Sequence, residues 1–101
     1  MTDEEIIKKV DILFSRMEAN DRLQKLAMDN GLDVKNNLKL TEDDKNNLAV
    51  TIVSLFLAKR ENDVRYTTLK KVGLQKRTIR TSIVNSYKDK AIDLINRYKS
   101  A

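Results

Sequence analysis

Apolar residues recur along the chain at intervals of three and four, and the interruptions in that rhythm divide it into segments. Ile6, Val10, Leu13 and Met17 follow Thr2 and Glu5, a Ser/Thr-x-x-Glu capping pattern, and predict a helix over about 3–19. Asn20 can cap a short second helix carrying Leu23, Leu26 and Ala27, closed by Asn30-Gly31, a dipeptide that tolerates the left-handed backbone at helix ends. Over 32–40, Leu32, Val34, Leu38 and Leu40 flank Asn36-Asn37, which leaves a small β-hairpin and an extended loop as the two readings. Thr41 with Asp44 opens a further helix, whose Leu48 to Leu57 are apolar around much of the circumference, as expected of a central element packed on several sides.

After Lys59-Arg60 the polar run Glu61 to Asp63 breaks the pattern, and a short helix is predicted over about 65–72. Gly73 permits positive φ, Leu74 starts a new register, and from Gln75 the chain reads as helical again. The apolar stripe then changes direction. At about 100° per residue, Ile79 and Ile83 lie within about 40° of one another, whereas Tyr87, Ala91, Leu94 and Tyr98 gather at about 60–120° from Ile79. Ser86 with Asp89 repeats the capping pattern, so a break is expected near Asn85-Ser86, followed by a separate helix over about 87–99. The predicted fold is a single all-α domain over 1–101, a compact bundle of five or six helices with the hairpin at 32–40 as an option.

Composition narrows the chemistry. The chain has 101 residues with 41% hydrophobic and 35% charged side chains, enough apolar material for one core under a highly charged surface. It contains neither cysteine nor histidine, which excludes disulfides, thiolate metal sites and imidazole acid/base chemistry. No glycine-rich phosphate loop or nucleophile–base pair occurs, so no enzyme activity, cofactor or small-molecule substrate is expected. Glu42, Asp43 and Asp44 form the densest acidic cluster, but they occupy a predicted first helical turn, where carboxylates complement the positive helix end. The apolar run Leu48 to Ala58 is much shorter than the roughly 20 residues that span a bilayer. Acids at Asp3, Glu4 and Glu5 stand where a secretory signal carries positive charge, so a cytoplasmic location is expected, away from any membrane.

Charge is unevenly divided. Residues 1–58 carry 8 basic and 11 acidic side chains, a net of −3, whereas residues 59–101 carry 12 and 4, a net of +8. Between Val64 and Lys88 there is no acid, and Arg65, Lys70, Lys71, Lys76, Arg77, Arg80 and Lys88 are all cationic. Such clustering concentrates a positive field and favours a polyanionic partner.

Val72-Gly73-Leu74 followed by Ile79 joins a short helix to a second one with a basic side, and this stretch resembles the helix-turn-helix of phage Cro and repressor-type DNA-binding proteins over about residues 66–85. Leu69 stands where that family usually has a small residue, and Ser82 where it has an apolar one. The resemblance implies a supporting helix over 67–72 and a recognition helix from Gln75 to about Val84, placed in the major groove of double-stranded DNA. With Ile79, Ser82 and Ser86 taken as the inward side, Lys76, Arg77, Arg80 and Thr81 face outward. Arg77 and Arg80 are then expected at base edges, supported by Gln75, Lys76 and Thr81, while Arg65, Tyr66, Lys70 and Lys71 contact phosphates. Half-buried packing is the favoured reading of Tyr66, Tyr87 and Tyr98 as aromatic rings. The surface of Ala91, Leu94, Ile95 and Tyr98 either covers the N-terminal helices or meets a second copy in a homodimer. A sequence-specific DNA-binding protein, serving transcriptional regulation or plasmid or phage DNA processing, is the reading favoured. The alternative is a helical interaction module of antirepressor, immunity or phage-assembly type, whose basic half binds an acidic protein.

Overall fold

The computed structural model describes residues 1–31, 40–73 and 76–100. Four helices make up the described fold: α1 (Asp3–Asp29), α2 (Glu42–Arg60), α3 (Val64–Val72) and α4 (Arg77–Ser100). The chain is all-helical, with four helices rather than the five or six expected and no strand among the described residues. The alternative of a hairpin over 32–40 falls on residues of which only Leu40 is described.

Local chemistry sets most helix ends. Thr2 Oγ1 accepts the Glu5 amide at 3.2 Å, and α1 stops at Asn30, where Gly31 takes φ of 75°. Thr41 and Asp44 form a reciprocal capping box, each side chain accepting the other's amide at 3.1 Å. Glu42, Asp43 and Asp44 are therefore first-turn residues, and no group of three or more metal-ligating side chains occurs among the described residues.

The two expected breaks do not occur, and both absences have a physical cause. Asn20 lies within α1: an interior asparagine costs only about 0.7 kcal/mol relative to alanine, less than giving up a turn of backbone hydrogen bonds. Asn85 and Ser86 lie within α4 in the same way. The change in direction of the α4 stripe is real, but it records a change of packing partner along one rod. Near its start, Ile83 joins Ala58 of α2 and Leu69 of α3 in a small cluster flanked by Leu55, Tyr66 and Ile79. Farther along, Ala91, Leu94 and Ile95 enter the main core with Ile6, Val10, Phe14 and Met17 of α1 and Ala49, Val53 and Leu57 of α2. Tyr87 is half-buried against both clusters. α2, expected to be the central helix, touches each of the other three, most extensively α4, but α4 also touches all three, so the two share the centre.

Polar ties fix the ends of this bundle. Lys45 of α2 is buried against α1, with its ammonium on Asp21 and 3.5 Å from Glu42. At the opposite end Asp3 accepts from Arg60 at 2.6 Å, Lys90 at 3.2 Å and Arg97 at 3.4 Å, and Arg60 and Lys90 hold its carboxyl down at about 2. α1 therefore runs antiparallel to α2, its start beside the end of α2.

Asp63 orients α3 on α4. Its carboxylate caps α3 by accepting the Arg65 amide at 2.8 Å, pairs with the Arg65 guanidinium at 2.7 Å and accepts the Tyr87 hydroxyl at 2.9 Å. Arg65 reaches on to α4, donating to the Ser82 carbonyl at 3.1 Å, Ser82 Oγ at 3.0 Å and Ser86 Oγ at 2.8 Å. The guanidinium and amide of Arg65 keep Asp63 well below the usual carboxylate range, while burial and the neighbouring carboxylate push the Tyr87 phenol up.

Ser54 is wholly buried in α2, and its hydroxyl has no hydrogen-bond partner among the described residues. Replacing it by alanine removes that desolvation cost, so Ser54→Ala should raise unfolding stability by about 1 kcal/mol in urea titration; an equal loss would mean the hydroxyl is satisfied. Asp63→Ala should lower stability by about 2–3 kcal/mol through loss of the cap and the charged hydrogen bonds. Because the folded-state pKa of Asp63 is depressed, its contribution is full above the unfolded value and declines with acid, so the gap between Asp63→Ala and the unaltered chain should narrow below about pH 4. A gap that does not change with pH would contradict this account.

Candidate nucleic-acid interface

Gly73 makes the corner between α3 and α4. Its φ of 104° and ψ of 134° lie in a region that side-chain-bearing residues rarely adopt, although an added Cβ would meet nothing within 4 Å. Backbone conformation, not space, therefore selects glycine here. The Lys76 amide donates to the Gly73 carbonyl at 3.2 Å, and the Arg80 amide donates to the Lys76 carbonyl at 3.1 Å as α4 begins. Leu74 and Gln75 lie outside the described residues.

Around this corner the cationic residues differ in placement. Lys70 and Lys71 are exposed on the last turn of α3, beside Val72, which is also exposed. Lys76, Arg77 and Thr81 are exposed, and Arg80 is half-buried. Ile79, Ile83 and Tyr87 set the inward side of α4, whereas Ser82 and Ser86, which the sequence reading turned inward, are exposed and accept hydrogen bonds from Arg65. This shift of the inward side brings Arg80 within about 20° of Tyr87 on the helix and leaves it at the flank of the packed face.

Arg65 is drawn inward. It is bound to Asp63, Ser82 and Ser86, and its guanidinium lies 6.0 Å from the centre of the Tyr87 ring. A side chain held this way orients α3 against α4, and a cation engaged on one carboxylate contributes less to an external field. Tyr66 is half-buried in the small cluster, while Tyr98 stacks on Phe14 at 5.5 Å between ring centres. The Ala91, Leu94 and Ile95 surface is buried in the main core, covering the N-terminal helices.

One residue at this surface was missed in the sequence. Lys88 is exposed, and because α4 runs unbroken it lies eleven residues beyond Arg77 on the same helix. That spacing places it about 16 Å from Arg77 along the axis and within about 20° of it around the helix. The expected break at Asn85-Ser86 had assigned Lys88 to a different helix. Arg77, Thr81 and Lys88 thus form a line along one side of α4, with Arg80 next to it.

The charges balance differently elsewhere. Arg60, Lys90 and Arg97 converge on Asp3, and Lys99 donates to Asn46 at 2.6 Å. Of the two acids between Arg60 and Lys88, Glu61 lies 3.6 Å from Arg60 and Asp63 is bound to Arg65. No carboxylate of the chain lies between Lys70 and Lys88 to oppose an incoming anion. A groove of about 690 Å³ between the end of α1 and the start of α2 is lined by both charge signs and contains the Lys45–Asp21 pair. No helix among the described residues is long and apolar enough to cross a membrane. No known protein family, curated protein or solved structure matches the chain, so the resemblance of the Gly73 corner to a helix-turn-helix stands on these residues alone.

Proposed function

We propose that the chain binds double-stranded DNA through the corner at Gly73, with the first turns of α4 entering the major groove. The observation that carries this reading is the line of Arg77, Thr81 and Lys88 on one exposed side of a single long helix, next to Arg80 and the exposed Lys70 and Lys71. In this docking the N-terminal turns of the second helix reach base edges, while residues farther along it and on the supporting helix meet backbone phosphates.

Roles follow from position. Arg77, at the N-terminal turn, is suited to bidentate bonding with guanine, and Thr81 stands one turn farther along. Arg80 and Lys76 flank them, and Gln75 precedes them in sequence. Lys70, Lys71 and Lys88 supply phosphate contacts at the margins, whereas Arg65 and Tyr66 are positioning residues that hold α3 on α4. A regulatory or DNA-processing protein uses this chemistry in the same way, in transcription or on plasmid or phage DNA.

Selection from random duplex pools, with binding measured across a salt series, tests the reading. Log affinity should fall linearly with log salt, by about 0.9 for each phosphate neutralised. Arg77→Ala should cost about 1–3 kcal/mol on the selected site and relax preference at one base position. Lys88→Ala should weaken all duplexes alike and reduce the salt slope by about 1. Binding of the folded protein that is no better to selected than to random duplex, with Arg77→Ala unchanged, would remove the proposal in favour of an acidic protein partner.

A further inference from the structure

Beyond Met17, α1 leaves the core: no residue from Glu18 to Asp29 is buried, yet the helix continues for three more turns. Leu23 is 65% exposed and Leu26 59%. They do not face the way the core residues do. Taking Ile6, Val10, Phe14 and Met17 as the inward direction, Ile12, Ala19, Leu23 and Leu26 lie on the opposite side of α1, within roughly 60° of one another. Ile12, Ala19 and Leu26 are seven residues apart, with Leu23 four after Ala19, the spacing of a narrow seam between two helices. Ile12 still borders Ile52 and Phe56 of α2, whereas Leu23 and Leu26 form a second apolar patch that joins neither group of buried side chains among the described residues.

The charges beside the seam select its occupant. Arg22 and Asp29 stand seven residues apart along one flank. If two copies of α1 lie antiparallel, with Leu23 of each against Leu26 of the other, Arg22 of each copy comes beside Asp29 of the other. Two ion pairs related by a twofold axis then border a centre of four leucines. A parallel arrangement instead brings each charge level with its own counterpart.

We propose that the exposed end of α1 docks a second copy of this chain, antiparallel, through Leu23 and Leu26, with Arg22 and Asp29 paired across the axis. The contact is about 18 Å long and one helix wide, smaller than the roughly 800 Å² per partner of a standard interface, so the dimer is reversible and concentration-dependent. Its geometry bears on the DNA-binding reading, on which this second step rests. Asp3 lies 22 residues from Lys25, which is close to the axis, so the outer ends of the two α1 helices are about 65 Å apart. Each Gly73 corner belongs to such an outer end, because Asp3 is bound to Arg60, from which the chain passes into α3. One turn of DNA spans about 34–36 Å. The dimer therefore reaches half-sites two or more turns apart and not adjacent ones. Two linked corners on one duplex also raise the effective concentration of the second, which offsets a weak protein contact.

Sedimentation equilibrium without DNA, from low micromolar to millimolar chain, tests the contact. The unaltered protein should pass from monomer to dimer, and Leu23→Lys should weaken the association by about tenfold or more with its helical circular dichroism unchanged. Arg22→Asp and Asp29→Arg should each weaken it, and the double variant should recover it. A monomer at every concentration, a larger open assembly, or a double variant no better than the singles would overturn the proposal. In a second arm, duplexes carry two selected sites one, two or three turns apart. Cooperative binding is expected at two or three turns, and cooperativity at one turn only would overturn the proposed geometry. A dimer that binds no duplex removes the DNA reading and leaves the α1 contact intact, whereas a monomer that still selects DNA does the reverse.

Discussion

The fold depends on the packing of α4 along α2. Small buried residues accompany that contact: Ala58 of α2 clusters with Ile83 of α4, and Ala91 of α4 is fully buried in the main core. α1 closes one end of this pair and α3 the other, so the main core and the small cluster are consecutive lengths of a single groove and not two domains. Whatever α4 presents to solvent is consequently held rigid by its opposite face. That rigidity gives physical meaning to the line of Arg77, Thr81 and Lys88, because side chains aligned on a packed helix keep their spacing.

Electrostatics divides the basic half of the molecule in two. Carboxylates are scarce there, and the chain brings Asp3 from its far end to meet Arg60, Lys90 and Arg97. Asp63 does the equivalent for Arg65. The result is a neutralised rim where helices join and a stretch around Gly73 with no local acid. Long-range attraction of an anion responds to this distribution more than to the total of +5.

What could be read from the sequence was whatever depends on neighbours within a turn. Thr41 with Asp44, the cap at Thr2 and the stops at Gly31 and Gly73 involve residues three or four apart, and their chemistry is self-contained. That α2 packs on several sides was also legible, since apolar residues around a whole helix need several partners; that α4 shares the centre was not. Asn20 and Asn85-Ser86 misled because a capping sequence states only that a helix can begin there. At Asn85-Ser86 burial on both sides, at Ile83 and Ala91, carries the helix through; beyond Asn20, where burial has ended at Met17, the backbone hydrogen bonds of α1 continue and Asp21 ties it to Lys45. The tie of Arg65 to α4 was hidden for a related reason: its partners Ser82 and Ser86 lie seventeen and twenty-one residues away, and nothing in local charge reveals them.

Tyr87 is the only tyrosine whose ring lies against both groups of buried side chains, and its hydroxyl ends on the carboxylate that begins α3. Such a shared pivot leaves the short third helix no way to detach alone. Opening it breaks up the small cluster and uncovers one side of the Tyr87 ring, which also packs on the larger interior, so the corner should melt with the body as one cooperative unit, and the spacing of its cations should persist up to the temperature at which the whole protein unfolds.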